Sequence, residues 1–130
     1  MGCVVKEGKD VTIVATGVCV DSANKAAEKL AAEGIDAEVI NICTIKPLDG
    51  ELIAASARKT GKVVTVEEHS VIGGLGSAVC DALAELAPTP VKKIGVQDVF
   101  GQSGTADQLM AFYGLDAEGV YKTTKEFLGK

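Results

Sequence analysis

Short β-branched segments alternate with alanine-rich helical segments along this chain, and the alternation limits its fold more than any other feature. Four segments are apolar along both faces, as strands between two helix layers must be: Val11 to Ala15, Asp36 to Ile42, Lys62 to Val66 and Val91 to Val96. This βαβαβαβ order predicts a mainly parallel sheet with right-handed crossovers and helices on both faces. We expect a three-layer α/β/α domain.

The segments between the strands carry helix start and stop signals. Ser22 to Glu33 has apolar residues at helical spacing, with Asp21 or Ser22 as N-cap and Gly34 as the stop. Similar signals predict four more helices: one opened by Asp49 and closed by Gly61, one from Gly74 to Leu86, one with a capping box of Thr105 and Gln108, and one capped by Asp116 that ends near Gly129.

The first fifteen residues predict one antiparallel strand pair. Apolar runs flank Glu7-Gly8-Lys9-Asp10, which resembles a hairpin turn in which Gly8 takes a positive φ. The expected sheet is therefore five-stranded and mixed, mainly parallel with one antiparallel edge strand. A chain of 130 residues suits a single domain, residues 1–130.

Charge and composition exclude several classes of function. Thirteen basic and eighteen acidic residues give a net charge of −5, with no basic cluster, so binding to nucleic acid or an anionic membrane is disfavoured. The four cysteines form no CxxC pair, and a single histidine makes structural zinc improbable. No apolar run approaches the roughly 20 residues of a membrane helix. The sequence therefore predicts a soluble, cytoplasmic protein with reduced thiols.

Ligands of such sheets bind beyond the carboxyl ends of the strands. Four segments meet at this edge: Thr16-Gly17, Cys43 to Lys46, Glu67 to Gly74 and Gln97 to Gly104. The third belongs to VVTVEEHSVIGGLG, residues 63–76, which gathers two acids, the only histidine and three glycines. This segment is the strongest candidate for a functional site.

A dinucleotide site is one interpretation of this segment. Gly74-Leu75-Gly76 supplies part of the fingerprint and Asp98 could contact a ribose, but Val79 stands where the third small residue is needed. The acids Glu67 and Glu68 would also repel a pyrophosphate. A structural interpretation has one of these acids accept hydrogen bonds from loop N–H groups, or pair with Lys46 or Arg58.

A catalytic group around His69 is a second interpretation. Ser70 or Ser77 could be a nucleophile and an adjacent acid could orient the imidazole, but a GxSxG elbow is missing. One histidine beside two acids is also an incomplete set of metal ligands. An ordinary hydrogen-bonded loop histidine is the simpler interpretation, so we assign no catalytic, cofactor-binding or metal-binding residue.

The helix after the glycines carries a stripe of small residues, Gly76, Cys80 and Ala84, at intervals of four. Such a stripe lets another backbone approach closely. That backbone belongs either to a neighbouring helix of the same domain or to another subunit. Cys80 has no nearby base, so it is interpreted as a small apolar residue and not as a reactive thiol.

Four stretches in order, EGKDVTIVATG, INICTIKPLD, VVTVEEHSVIGGLGSAV and QDVFGQSGTADQLMAFYGLDAEGV, resemble the C-terminal domain of transketolase over nearly the whole chain. The EEHSVIGGLG, FGQSG and YGL segments resemble transketolases more than deoxyxylulose phosphate synthases or 2-oxoacid dehydrogenase β subunits. The resemblance implies a role in transferring a two-carbon ketol unit between sugar phosphates. It also implies that thiamine diphosphate and a divalent metal such as Mg²⁺ are bound by other domains, so that this chain alone is inactive.

The resemblance also gives the candidate site a role. The residues Glu67, Glu68, His69, Gly73, Gly74 and Gly76 correspond to a family loop that packs near the second domain and the dimer contact. It implies docking to the cofactor-binding domains, on the same or a separate chain, in a homodimer. The small stripe then favours a subunit or domain contact. One alternative is the equivalent domain of a deoxyxylulose phosphate synthase or a 2-oxoacid dehydrogenase β subunit. The others are a regulatory module for a nucleotide or small anion, and a small hydrolase.

Overall fold

The computed structural model describes residues 2–43, 45, 47–70, 73–96 and 105–130, with the backbone alone for residues 69, 70 and 106. Its strands are β1 (Gly2–Lys6), β2 (Val11–Ala15), β3 (Ala37–Ile42), β4 (Val63–Ser70) and β5 (Val91–Val96). Its helices are α1 (Cys19–Ala31), α2 (Gly50–Thr60), α3 (Leu75–Leu86), α4 (Ala106–Phe112) and α5 (Ala117–Leu128). Within these ranges no helix is both long and apolar enough to cross a membrane.

The strands form one mixed sheet in the order β1-β3-β2-β4-β5, and only the β1–β3 pair is antiparallel. Helices α1 and α5 cover one face, packing on residues such as Ile13 and Val64, and α2 and α3 cover the other, packing on residues such as Val14 and Val63. Every residue of the central strand β2 is buried. The predicted three-layer fold, with five strands and one antiparallel edge strand, is confirmed.

The predicted hairpin between the first two strands is wrong, because β1 pairs with β3 and not with β2. Both edges of β2 are occupied by parallel neighbours, so β1 cannot pair with β2 and instead joins the sheet at the outer edge of β3. The connection therefore crosses the start of β3. Gly8 does not have a positive φ there. It is glycine because a Cβ would lie 2.3 Å from the carbonyl carbon of Ala37.

The predicted helix ends are mostly confirmed, and α1 is the exception. Asp49, Thr105 with Gln108, and Asp116 cap their helices, while Gly61 and Gly129 end theirs with positive φ. Helix α1 instead begins at Cys19, so neither Asp21 nor Ser22 is its N-cap. Gly17, with φ of +56°, turns the chain directly after β2, and the helix starts before the expected capping residues are reached.

A buried polar network lies at the amino-terminal edge of the sheet. Glu38 is only 2% exposed, pairs with Lys59 and accepts a hydrogen bond from the Gly8 N–H at 3.1 Å. Burial alone would raise the pKa of Glu38, but hydrogen bonds from Lys59, Ser56 and Gly8 outweigh it, so the pKa lies below its usual value. The hydrogen bond to Glu38 raises the pKa of Lys59.

Lys59→Gln should lower the free energy of unfolding in a pH-dependent way. The Glu38 contribution is present above its unfolded pKa of about 4.3 and is lost as the pH falls through the lower folded value. The Lys59 contribution is present below its unfolded pKa of about 10.4 and is lost as the pH rises through the higher folded value. The free energies of unfolding in urea of the wild type and Lys59→Gln should therefore differ most at pH values between these two limits. Lys25→Gln, which breaks an exposed pair with Asp21, is the control with little effect. A difference unchanged down to pH 3 would contradict the assignment.

Candidate functional site

The carboxyl ends of β2, β3, β4 and β5 meet at one edge of the sheet, as their parallel pairing requires. The antiparallel strand β1 begins at this same edge, since Gly2 pairs with Ile42 near the end of β3. The sequence-predicted residues at the end of β4 and the start of α3 lie here, and we call Glu67 to Ser70 with Gly73 to Gly76 the β4–α3 corner.

Glu67 joins the end of β4 to the start of α3. Its Oε1 accepts the N–H of Leu75 and its Oε2 accepts the N–H of Gly76, both at 2.8 Å, and the residue is fully buried. The first N–H groups of a helix have no partner within the helix, and the helix dipole favours an anion beside them. The carboxylate of Glu67 is therefore an internal cap of α3. This is the structural interpretation that the sequence offered for one of the two acids.

Glu68 lies on the opposite face of β4, because side chains alternate along a strand. Its side chain is exposed. A Cβ added to Gly17 would lie 3.4 Å from its Oε1, so Glu68 is beside the turn into α1. Burial, and then the charges of Glu68 and Glu67, raise the pKa of the nearby Cys19 thiol to about 11. This thiol is protonated at neutral pH and is not a nucleophile.

Gly73 and Gly76 of the corner are glycines for different structural reasons. Gly73 has φ of +76° and open space around it, and its N–H donates to Ser77 Oγ at 3.0 Å. Gly76 is buried, and a Cβ there would lie 2.8 Å from Lys93 Cγ and 3.0 Å from Thr65 Oγ1. Lys93 can lie across α3 only because Gly76 has no side chain. Its Nζ lies 3.4 Å from Ser77 Oγ.

The small stripe is divided between the interior and the surface. Gly76 packs against the side chains of Thr65 and Lys93 from the sheet, so its small size is used within the domain. Cys80 is half-buried and Ala84 is exposed. The subunit or domain contact that the resemblance implied for this stripe stays a prediction, and Cys80 and Ala84 are the members with accessible surface.

Of the other predicted participants, Arg58 lies away from this site, and the rest lie outside the described residues. Arg58 Nη2 donates to the Leu86 carbonyl at 3.0 Å, at the end of α3, so it does not pair with the acids of the corner. Lys46 and the segment Gln97 to Gly104, which contains Asp98, lie outside the described residues. So do the side chains of His69 and Ser70, and their predicted roles are not tested.

Sequence reasoning missed one exposed apolar residue at this edge. Val18 follows Gly17, is 56% exposed and lines a groove of about 830 Å³ with Met110 between α1, α4 and the start of α5. The four acids that line the groove are Asp21, Asp107, Asp116 and Glu118. The available signal was an apolar residue placed directly after a glycine turn at a strand end.

The described residues do not fit a thiamine diphosphate site. A diphosphate needs free N–H groups or cations and its metal needs oxygen ligands, but Glu67 already occupies the start of α3. Within the described ranges, no group of three His, Cys, Asp or Glu side chains could hold a metal ion.

The structure is that of a three-layer α/β domain whose carboxyl sheet edge presents an internally capped helix and exposed side chains. The sequence profile described as "Transketolase, C-terminal domain" matches residues 2–120. The chain belongs to the transketolase C-terminal domain family.

Similar proteins include both transketolases and a related synthase. The 6-deoxy-6-sulfo-D-fructose transketolase subunit of Clostridium sp. strain MSTE9 is 50% identical over 93% of this chain and 38% of its own length. A 1-deoxy-D-xylulose-5-phosphate synthase of Heliobacterium modesticaldum is 46% identical over 96% of this chain and 20% of its own. A solved structure described as a split-gene transketolase in an inactive β4 tetramer is 54% identical, with TM-score 0.94, over 99% of this chain and 42% of that one.

This chain therefore spans less than half the length of each of these relatives. The activities in the names of these relatives belong to proteins much longer than the 130 residues of this chain.

Proposed function

We propose that this chain is the assembly domain of a split-type transketolase. It binds the part of the enzyme that holds thiamine diphosphate through the β4–α3 corner, and it contributes no complete active site. The assembled enzyme transfers a two-carbon ketol unit between sugar phosphates.

One observation carries this proposal: the corner at the ligand edge of the sheet is filled by its own carboxylate. Glu67 occupies the N–H groups of Leu75 and Gly76 that a phosphate would otherwise bind. Among the described residues, the exposed ones at this edge include Glu68 and the apolar Val18. A mixed apolar and charged surface of this kind suits a protein partner. The relative whose structure is described as a split-gene, inactive β4 tetramer supports the same division of labour.

Mixing experiments test the proposal directly. The chain and a separately produced cofactor-binding part of a split-gene transketolase are assayed alone and together, with thiamine diphosphate, Mg²⁺, a ketose phosphate and an aldose phosphate. We expect no ketol transfer by either part alone and turnover by the mixture. Turnover by this chain alone, or an inactive mixture in which the two parts are associated, would overturn the proposal.

Two matched charge reversals show which edge binds the partner. Glu68→Lys changes an exposed residue of the corner, whereas Glu7→Lys makes the same change at the amino-terminal edge. We expect Glu68→Lys to weaken association with the cofactor-binding part by at least about tenfold, in line with the several kcal/mol that a like-charge or mismatched contact costs. Glu7→Lys should leave it within about twofold. Equal effects of the two variants would place the contact elsewhere.

A further inference from the structure

We propose that Glu67 is the positioning residue of the β4–α3 corner: it fixes α3 to β4 so that the corner is presented in the geometry that the partner binds. This inference rests on the proposed function. Glu67 itself is fully buried, so it cannot contact the partner and must act through the segments it joins.

The geometry of Glu67 explains why a carboxylate is needed. Both of its oxygens are used, one on the N–H of Leu75 and one on the N–H of Gly76, at the same distance of 2.8 Å. A glutamine has one acceptor oxygen, and its NH₂ group would face the second backbone N–H as another donor. Glu67→Gln therefore keeps the size of the side chain and breaks one of the two hydrogen bonds.

The described glycines beside the two hydrogen bonds of Glu67 cannot replace them. Gly73 and Gly74 have no side chains to hold the corner, and Gly73 has a positive φ of +76°. The hydrogen bond from the Gly73 N–H to Ser77 Oγ has a neutral acceptor. Hydrogen bonds to a charged acceptor are about twice as strong as neutral ones. Among the described hydrogen bonds of the β4–α3 corner, we therefore expect the two short ones to Glu67 to fix the start of α3 on the strand end most strongly.

The position of Glu67 also decides where Glu68 lies on the other face of the sheet. Because side chains alternate along β4, the burial of Glu67 under α3 directs Glu68 to the side of Gly17 and the exposed Val18. A shift of the strand end would move Glu68 relative to Val18. Glu67 thus affects both the start of α3 and the position of Glu68 beside Val18, which lie on opposite faces of the sheet.

Glu38 supplies a matched control for Glu67. It is also a buried glutamate that accepts a backbone N–H, that of Gly8, but it lies at the amino-terminal edge. Glu38→Gln and Glu67→Gln should both lower the melting temperature. At a temperature where circular dichroism shows both variants to be fully folded, only Glu67→Gln should weaken binding to the cofactor-binding part, by at least about tenfold.

A second measurement reads the corner without the partner. In ¹⁵N-correlated NMR spectra of the isolated chain, Glu67→Gln should move the Leu75 and Gly76 amide resonances and speed their hydrogen exchange, while Glu38→Gln should leave both unchanged. Moved resonances with unaltered partner binding would overturn the positioning role. Equal losses of binding in the two variants would also overturn it, because they would reflect stability alone. A wild-type chain that binds no partner would instead refute the proposed function, and the two failures are thereby distinguished.

Discussion

Gly8→Ala should destabilise the fold by about 3 kcal/mol, at the upper end of the cost of overpacking a well-packed site. The added Cβ would lie 2.3 Å from the carbonyl carbon of Ala37 and 2.5 Å from the backbone nitrogen of Glu38. Neither atom belongs to a flexible side chain that could move aside. The connection from β1 to β2 would have to rise away from β3, and the hydrogen bond from the Gly8 N–H to Glu38 would be lost.

Gly34→Ala is the control for Gly8→Ala. Gly34 has a positive φ of +80°, but nothing lies within 4 Å of the position of its Cβ. Its substitution should cost only the left-handed backbone strain of an L residue, about 1 kcal/mol. The free energies of unfolding in urea give the comparison. If Gly8→Ala were no more destabilising than Gly34→Ala, the close crossing of β3 by this connection would be wrong.

The features of the fold that depend on residues close together in the sequence were predictable. The run of buried residues in β2, the capping box of Thr105 with Gln108 and the helix-ending Gly61 are each decided within a few positions of the chain. Alternation of strands and helices then restricts the topology to a parallel sheet with right-handed crossovers. For this reason the three-layer architecture followed from the sequence.

The partner of β1 was not predictable in the same way. A glycine turn between two apolar runs is the local pattern of a hairpin, and nothing near Gly8 distinguishes a hairpin from a strand crossing. The deciding fact is distant, since both edges of β2 are taken by β3 and β4. The consequence matters for the candidate site, because it places the start of β1 at the carboxyl edge of the sheet.

The candidate site divides between predicted and unpredicted features for a similar reason. Period-two alternation implied that Glu67 and Glu68 point to opposite faces, but not which of them faces α3. That choice depends on how β4 is placed between its neighbours. The small size of Gly76 is likewise explained by Lys93 and Thr65, which lie on two strands and are remote from it in sequence.

Gly119→Ala should destabilise the fold by about 2 kcal/mol, although Gly119 lies in the first turns of α5, where alanine is the better helix former. A Cβ at this position would lie 2.5 Å from both the Cα and the carbonyl oxygen of Gly114, in the turn between α4 and α5. The backbone of that turn would have to move, and with it Leu115 and Val120, which α5 packs into the core beside α1.

Gly129→Ala tests whether the effect of Gly119→Ala comes from this close approach. Gly129 ends the same helix with φ of +76° and open space around it, so its substitution should cost about 1 kcal/mol from backbone strain alone. Urea unfolding of the two variants gives the difference in free energy. A stabilising effect of Gly119→Ala would mean that helix propensity outweighs the contact, and that the two glycines do not require each other. A larger loss at Gly119 than at Gly129 would show that the start of α5 packs directly on the backbone of Gly114.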